Sequence, residues 1–250
     1  MLRKFSFFIF NFSFLILFIC GCATIYNPAT EKKEFIFIST SSEVSLGKSI
    51  SRQAELEYPI SGDIIQNKRL KKIGKKIAAV SDRQDLVYVF KVVKDKTLNA
   101  FSLPGGFVYV NSGLMDKADD DELACVIAHE VGHIAAKHAV KKLQVTIGYQ
   151  LIMSIALNKA TNIETSRAVN TVFGLISLGY SREDERLSDR LAVKYAYKAG
   201  FKPAAMISFF KKLKEEDQKA LNYHIAFLES HPAIDERINN VKAEIERVEK

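Results

Sequence analysis

Two histidines four residues apart, with a glutamate directly after the first, stand in the stretch Ala128-His129-Glu130-Val131-Gly132-His133. On an α-helix His129 and His133 share one face, one turn apart, so their imidazole nitrogens can converge on one ion. Glu130 lies about 100° round the helix, near that ion without having to bind it. This is the His-Glu-x-x-His arrangement, in which zinc is held at about 2.0–2.1 Å by two imidazoles and the glutamate is general base to the metal-bound water. The surrounding residues ask for a helix independently. Asp119 to Glu122 place four acids at the positive end of a helix dipole, and Leu123, Val126, Ile127, Val131 and Ile134 form a core-facing stripe. A helix from Asp120 to about Leu143 is expected, with Gly132 leaving room beside the metal.

A catalytic zinc takes three protein ligands and keeps one position open. His138 is near in sequence, but five residues after His133 it is about 140° round the helix and points away, as a surface residue or one behind the ligands. The metzincin pattern would want Gly and His where Ala136 and Ala139 stand. The third ligand must come from another helix. In Arg182 to Asp189 only Glu185 has an acid four residues ahead on its own face, Asp189, with Ala192 and Ala196 on that face allowing close approach. Glu185 is therefore expected as third ligand and Asp189 as the acceptor that orients a zinc histidine. The competing reading is an acidic, solvated helix start favoured by the dipole alone.

The first residues are set apart from the fold. Met1 to Lys4 is short and basic, Phe5 to Ile19 is almost wholly apolar, and Cys20-Gly21-Cys22-Ala23 closes the run with small residues, the three-part layout of a secretory signal. A signal-anchor helix competes, but Ser6, Asn11 and Ser13 interrupt a run already short for a bilayer span. Ile19-Cys20-Gly21-Cys22 resembles a bacterial lipobox, which would make 1–21 a leader and Cys22 the acylated first residue of a membrane-anchored chain. Only Cys125 then remains, and one thiol forms no internal disulfide; a buried helix position suits it. The net charge of +7 is mild, and no basic stripe interleaved with aromatics marks a nucleic-acid surface.

Along the rest of the chain, residues 22–45 read as a tether and 46–250 as one domain. Helical periodicity begins near Ser45 and breaks at Pro59; a second helix runs from Asp63 to about Val80, its Lys68 to Lys76 segment a solvated face. Leu86 to Val93, Leu98 to Phe101 and Phe107 to Val110 read as short strands, the last behind the turn Leu103-Pro104-Gly105-Gly106. Helices are expected at Arg182 to Ala199, Pro203 to Leu221 and Asp235 to Val248. Strands wedged between helices give an α+β domain, mostly helical, with a small, largely antiparallel sheet beside the His-Glu-x-x-His helix. The apolar stretches between 144 and 178 are either helices on the core or an amphipathic hairpin facing membrane or substrate.

Asn99-Ala100-Phe101-Ser102-Leu103-Pro104-Gly105-Gly106, then the His-Glu-x-x-His segment, then Tyr180-Ser181-Arg182 with Glu185 and Asp189, then Ser230-His231-Pro232 with Arg237 follow in this order. Over about Leu46 to Arg237 the chain resembles the zinc endopeptidase family that includes the CAAX prenyl protease and HtpX. Its closest likeness is to the lipoprotein members facing the periplasm. One departure is Ser188, where many relatives have Ala. The resemblance implies a gluzincin fold whose sheet edge lies above one zinc per chain, with ligands His129, His133 and Glu185 and general base Glu130. It also implies a substrate strand at Gly105, Gly106, Phe107 and Val108, able to add an extended peptide. His231 and Arg237 would stabilise the oxyanion; His231 could equally be a resting-state fourth ligand or a buried structural histidine. The expected function is a lipid-anchored endopeptidase of the bacterial envelope, facing the periplasm, that cleaves unfolded or misassembled proteins. A zinc-stabilised, chaperone-like lipoprotein assisting outer-membrane assembly is the alternative.

Overall fold

The computed structural model describes residues 24–156, 174, 179–219, 226–231 and 233–249. The leader at 1–21, Cys22, Pro232 and most of 157–178 lie outside the described residues. A hairpin opens the fold, β1 (Thr24–Asn27) antiparallel to β2 (Lys32–Phe35), followed by α1 (Thr40–Glu57) and α2 (Ile64–Val80). Helix α1 starts five residues ahead of the expected Ser45, because Ser39 caps it by accepting from the Ser42 amide. Asp63 caps α2 in the same way through the Gln66 amide. Ile64 and Ile65, apolar positions in the sequence pattern of α2, stay 81% exposed.

A three-stranded sheet follows, from β3 (Val89–Val93), β4 (Ala100–Leu103) and β5 (Phe107–Asn111), leading through the short α3 (Ser112–Lys117) to α4 (Asp120–Ala135). The fold class is the expected α+β, mostly helical one. Strand order is β3-β5-β4, with β4 antiparallel and β3 parallel to β5, so this sheet is mixed. The remaining elements are α5 (His138–Ala156), α6 (Arg182–Lys198), α7 (Ala205–Lys219), α8 (Ala226–Ser230) and α9 (Ile234–Val248).

Helix α4 is the centre of the molecule. Asp119 and Glu122 close a reciprocal capping box at its start, and every residue from Glu122 to Ala135 is buried. Its apolar residues join Leu191, Tyr195, Phe209, Phe210 and Phe227 from the later helices in the larger core, while Ile50, Leu103, Tyr109 and Leu143 form a smaller one. The most extensive packing of α4 is on α6. Gly132 permits it: a Cβ there would stand 3.1 Å from the Ser188 carbonyl oxygen. The room expected beside the metal is thus taken by a neighbouring helix backbone.

The expected continuous helix to Leu143 breaks instead. Lys137 adopts a left-handed φ of 58° between α4 and α5, a conformation that costs a non-glycine residue about 1–2 kcal/mol. Its ammonium donates to buried Glu43 of α1 at 2.7 Å, a long-range contact that offsets the cost. Among the described residues no helix is long and apolar enough to cross a membrane.

Candidate metal centre

The capped, buried α4 brings His129 and His133 onto one face, and capped α6 lays Glu185 opposite them. His129 Nε2 and His133 Nε2 stand 3.0 Å apart, and Glu185 reaches each at 3.4 Å, one carboxylate oxygen apiece. His231, just after α8, adds Nδ1 at 3.3 Å from His129 Nε2 and 2.9 Å from Glu185 Oε1. All four side chains are buried and their ligating atoms lie within 4.8 Å of one another. Donors bound tetrahedrally at about 2.0–2.1 Å stand roughly 3.3–3.4 Å apart, the scale seen here.

The chemistry of the donors asks for an ion as well. The Nδ1 atoms of both helix histidines are engaged: His129 Nδ1 with Asp189 Oδ1 at 2.9 Å, His133 Nδ1 with His138 Nδ1 at 2.8 Å. Their Nε2 atoms are left 3.0 Å apart, an arrangement that a cation between them would satisfy. Oxygen Oε1 of Glu130 and Oε2 of Glu185 are buried and make no hydrogen bond. Glu130, Glu185 and Asp189 bring three buried carboxylates against one buried guanidinium, Arg237. With neutral histidines the deficit is matched by a divalent cation.

The metal-free electrostatics follow from these contacts. Burial and the charge of Arg237 push the His129 imidazolium down, but hydrogen bonds to Asp189 and Glu185 outweigh them and raise its pKa to about 9. Burial drives His133 down to about 3, so it stays neutral. Burial opposes the ionised Glu185, yet His231 and the two helix histidines hold its carboxyl far below the usual range. The thiol of Cys125, on α4 itself, is buried and pushed up to about 12, which makes it inert.

Other predicted residues fall into definite places. Asp189 sits behind His129 as expected, itself clamped by Arg237, whose Nε and Nη2 donate to its two oxygens at 2.8 and 2.7 Å. Arg237 Nη1 lies 3.1 Å from Glu185 Oε2 and donates to the His231 carbonyl at 3.3 Å, so its donors are spent on the carboxylates and the backbone around the ligands. His138 does not point away: the break at Lys137 turns it back onto His133, with Nε2 3.2 Å from Asp184. Tyr180 stacks on the His133 ring, centroids 4.0 Å apart.

The expected substrate strand needs correction. Phe107 and Val108 lie in β5, the central strand, paired to Val89 and Phe90 on one side and to Leu103 and Ser102 on the other. Their backbone has no free edge. Gly105 and Gly106 form the turn, both with positive φ, and Gly105 is packed so that a Cβ would meet the Val44 Cα at 2.7 Å. Among the described residues no strand pairs with the outer edge of β4, which passes over α4. Ser102 of that strand donates from Oγ to Glu130 Oε2 at 2.8 Å, a contact no spacing rule announces. The other carboxylate oxygen of Glu130 lies 3.5 Å from His231 Nε2.

The sequence profile of peptidase family M48 matches residues 65–245. A putative beta-barrel assembly-enhancing protease of Vibrio cholerae is 28% identical over 212 residues, 79% of this chain and 43% of that protein. The mitochondrial metalloendopeptidase OMA1 of Schizosaccharomyces pombe is 28% identical over 87% of this chain and 65% of its own length. Metalloprotease LoiP of Escherichia coli is 29% identical over 61% of each. The chain thus spans less than two thirds of each of these relatives.

Proposed function

The chain belongs to peptidase family M48, and from that premise we propose that it is a zinc-dependent endopeptidase that cleaves extended segments of unfolded or misassembled proteins in the bacterial envelope. The observation that carries this reading is the convergence of His129, His133 and Glu185 beside a buried glutamate, Glu130, with one carboxylate oxygen uncommitted.

His129, His133 and Glu185 would hold zinc, which when bound supplies a Lewis acid for polarising water and the scissile carbonyl. Asp189 fixes the tautomer of His129, and Arg237 fixes Asp189. Ser102 holds one oxygen of Glu130, leaving Oε1 to take a proton from the attacking water and pass it to the leaving amine. His231 completes a four-donor set here, which supports its reading as a resting-state ligand; it must withdraw for substrate to enter, and from there its Nε2 can serve the oxyanion. Strand β4 offers the free edge for an extended chain, a conformation that an unfolded segment adopts more readily than a packed domain. Residues 1–21 are read as a leader and Cys22 as the acylated residue that holds the domain at the membrane, facing the periplasm.

Metal analysis of the purified chain beside His133→Ala tests the centre: one zinc per chain is expected, lost in the variant. Glu130→Gln should keep that zinc and the fold while losing hydrolysis of casein. Retained hydrolysis removes Glu130 from its role. Intact function in cells carrying Glu130→Gln would favour the alternative of a chaperone-like lipoprotein, a reading the closed four-donor set also suits.

A further inference from the structure

The hairpin β1–β2 carries a surface that the metal centre does not use. Directly opposed residues share a face in an antiparallel pair, and the register sets Thr24 against Phe35 and Tyr26 against Lys33. Thr24, Tyr26, Lys33 and Phe35 therefore point one way, and Phe37 continues that alternation. This outward face is 61% exposed at Tyr26, 52% at Phe35 and 51% at Phe37, and the two phenylalanine rings adjoin with centroids 6.1 Å apart. The opposite face carries buried Asn27 and Ile36 and part-buried Glu34, with Ile25 at its end 39% exposed. A hairpin that presents aromatics and lysine to the outside has the composition of a membrane–water interface, where amphipathic rings and snorkelling lysines collect.

The mounting of this face is rigid. Asn27 donates from its amide to the Ala135 carbonyl at the end of α4. Gln144 of α5 accepts from the Phe37 and Ile38 amides and donates to the Phe35 carbonyl, and Lys141 pairs with Glu34 at 2.5 Å. A two-stranded ribbon is marginal alone, and these contacts weld it to the helix that bears the histidines.

The chain upstream says what meets the face. The apolar run Phe5 to Ile19 ends five residues before Thr24, a reach of at most roughly 17 Å when fully extended. From Cys22, the acylated residue proposed above, Tyr26 is at most about 14 Å away. Such a tether confines the hairpin to within about 14 Å of the anchor, beside a headgroup layer itself about 5–8 Å thick, so the exposed aromatics stand within reach of the interface.

We propose that Tyr26, Phe35 and Phe37 seat in the bilayer interface, making the hairpin a second attachment that sets the orientation of the metal centre above the membrane. The proposal rests on the membrane attachment read from residues 1–22, and it is independent of any chemistry at the centre. The exposed isoleucines of α2, Ile64 and Ile65, with Lys68, Lys71, Lys72 and Lys75 beside them, form the competing surface, but no apolar segment leads into them.

The chain has no tryptophan, so a single substitution supplies a unique reporter. The full chain carrying Phe35→Trp, and separately Ile64→Trp, is extracted from bacterial membranes and reconstituted in phosphatidylcholine/phosphatidylglycerol vesicles, with or without acyl chains brominated near the headgroup. Flotation with the vesicles tests the attachment itself. A blue-shifted Phe35→Trp emission that loses most of its intensity to brominated lipid, with Ile64→Trp unquenched, is the expected result. Floating chains whose Phe35→Trp emission is water-like overturn the surface and leave the attachment standing. Blue-shifted but unquenched emission overturns it too, since the face is then covered by residues 1–23 or by a second copy. Quenching at Ile64→Trp instead means the opposite orientation and also overturns it, and chains that fail to float remove attachment and surface together. Hydrolysis of casein by Phe35→Trp should match the parent, which confirms that the reporter leaves the fold intact.

Discussion

Two buried charge clusters flank the end of α4, and they are balanced differently. Around Glu43, the carboxylate accepts from Lys137 at 2.7 Å, from Arg83 at 3.1 Å and from the Gly105 amide at 3.3 Å, while Arg83 also pairs with Asp85. Two cations meet two carboxylates, and every charge has a partner within the protein. Around Glu185, three carboxylates meet one guanidinium, and two carboxylate oxygens are left without hydrogen bonds. A self-satisfied cluster fixes the backbone; an unsatisfied one of the same burial is a place for something that arrives from outside. The first holds the left-handed Lys137 and the Pro104-Gly105 turn, and so indirectly β4 and His138, in the positions the second needs.

That contrast can be attacked from either side. The largest effect is expected at Glu130→Gln, which should lower kcat for peptide hydrolysis by about 10²–10⁴-fold, with zinc content and thermal stability unchanged within error. Equal zinc with undiminished turnover would dissolve the distinction between a cluster that acts and one that only supports. Glu43→Gln should do the reverse. Arg83 keeps Asp85, but leaving the buried Lys137 ammonium without its carboxylate costs about 3–5 kcal/mol of stability, read by denaturant titration, and the loss should be the same with and without a chelator. A loss that vanishes on metal removal would mean that the two clusters are one unit.

The metal-free protein carries a pH signature from the centre alone. His129 rises from its ordinary value of 6.5 to about 9 in the fold, so its protonation stabilises the metal-free fold fully below 6.5, and that contribution fades as pH climbs towards 9. His133, held down to about 3, works oppositely, costing stability as pH falls from 6.5 towards 3. Chelator-treated protein should therefore melt highest near pH 6.5, losing up to a few kcal/mol on the alkaline side, and zinc should abolish the alkaline decline by replacing the proton. A flat profile for the metal-free form would place the imidazoles elsewhere. The smallest effect is expected at His138→Ala: loss of the contact to His133 Nδ1 should weaken zinc by about 10–100-fold in a competition titration, with little change in stability of the loaded form.

Much of the centre was legible in the sequence because it is built from local rules. Acids at a helix start, a four-residue histidine spacing and a Glu185/Asp189 pair on one helical face each carry their geometry with them, and His129, His133, Glu185 and Asp189 meet as that reading implies. The Lys137 break was not legible. Its left-handed backbone has no glycine or asparagine to announce it, and the partner that holds it, Glu43, is 94 residues away. Treating 120–143 as one helix therefore threw His138 to the wrong side. Strand order failed for a related reason: alternation identifies strands but says nothing of which lies outermost, so β5 was given the free edge that belongs to β4. Ser102 went unassigned because its meaning depends on that order.

The hydroxyl of Ser102 joins β4, the edge strand among the described residues, to the Glu130 carboxylate. Under the proposed function, a peptide added to β4 would pair with the same short segment that holds the carboxylate. Occupation of the edge and placement of the carboxylate would then share a single 2.8 Å link.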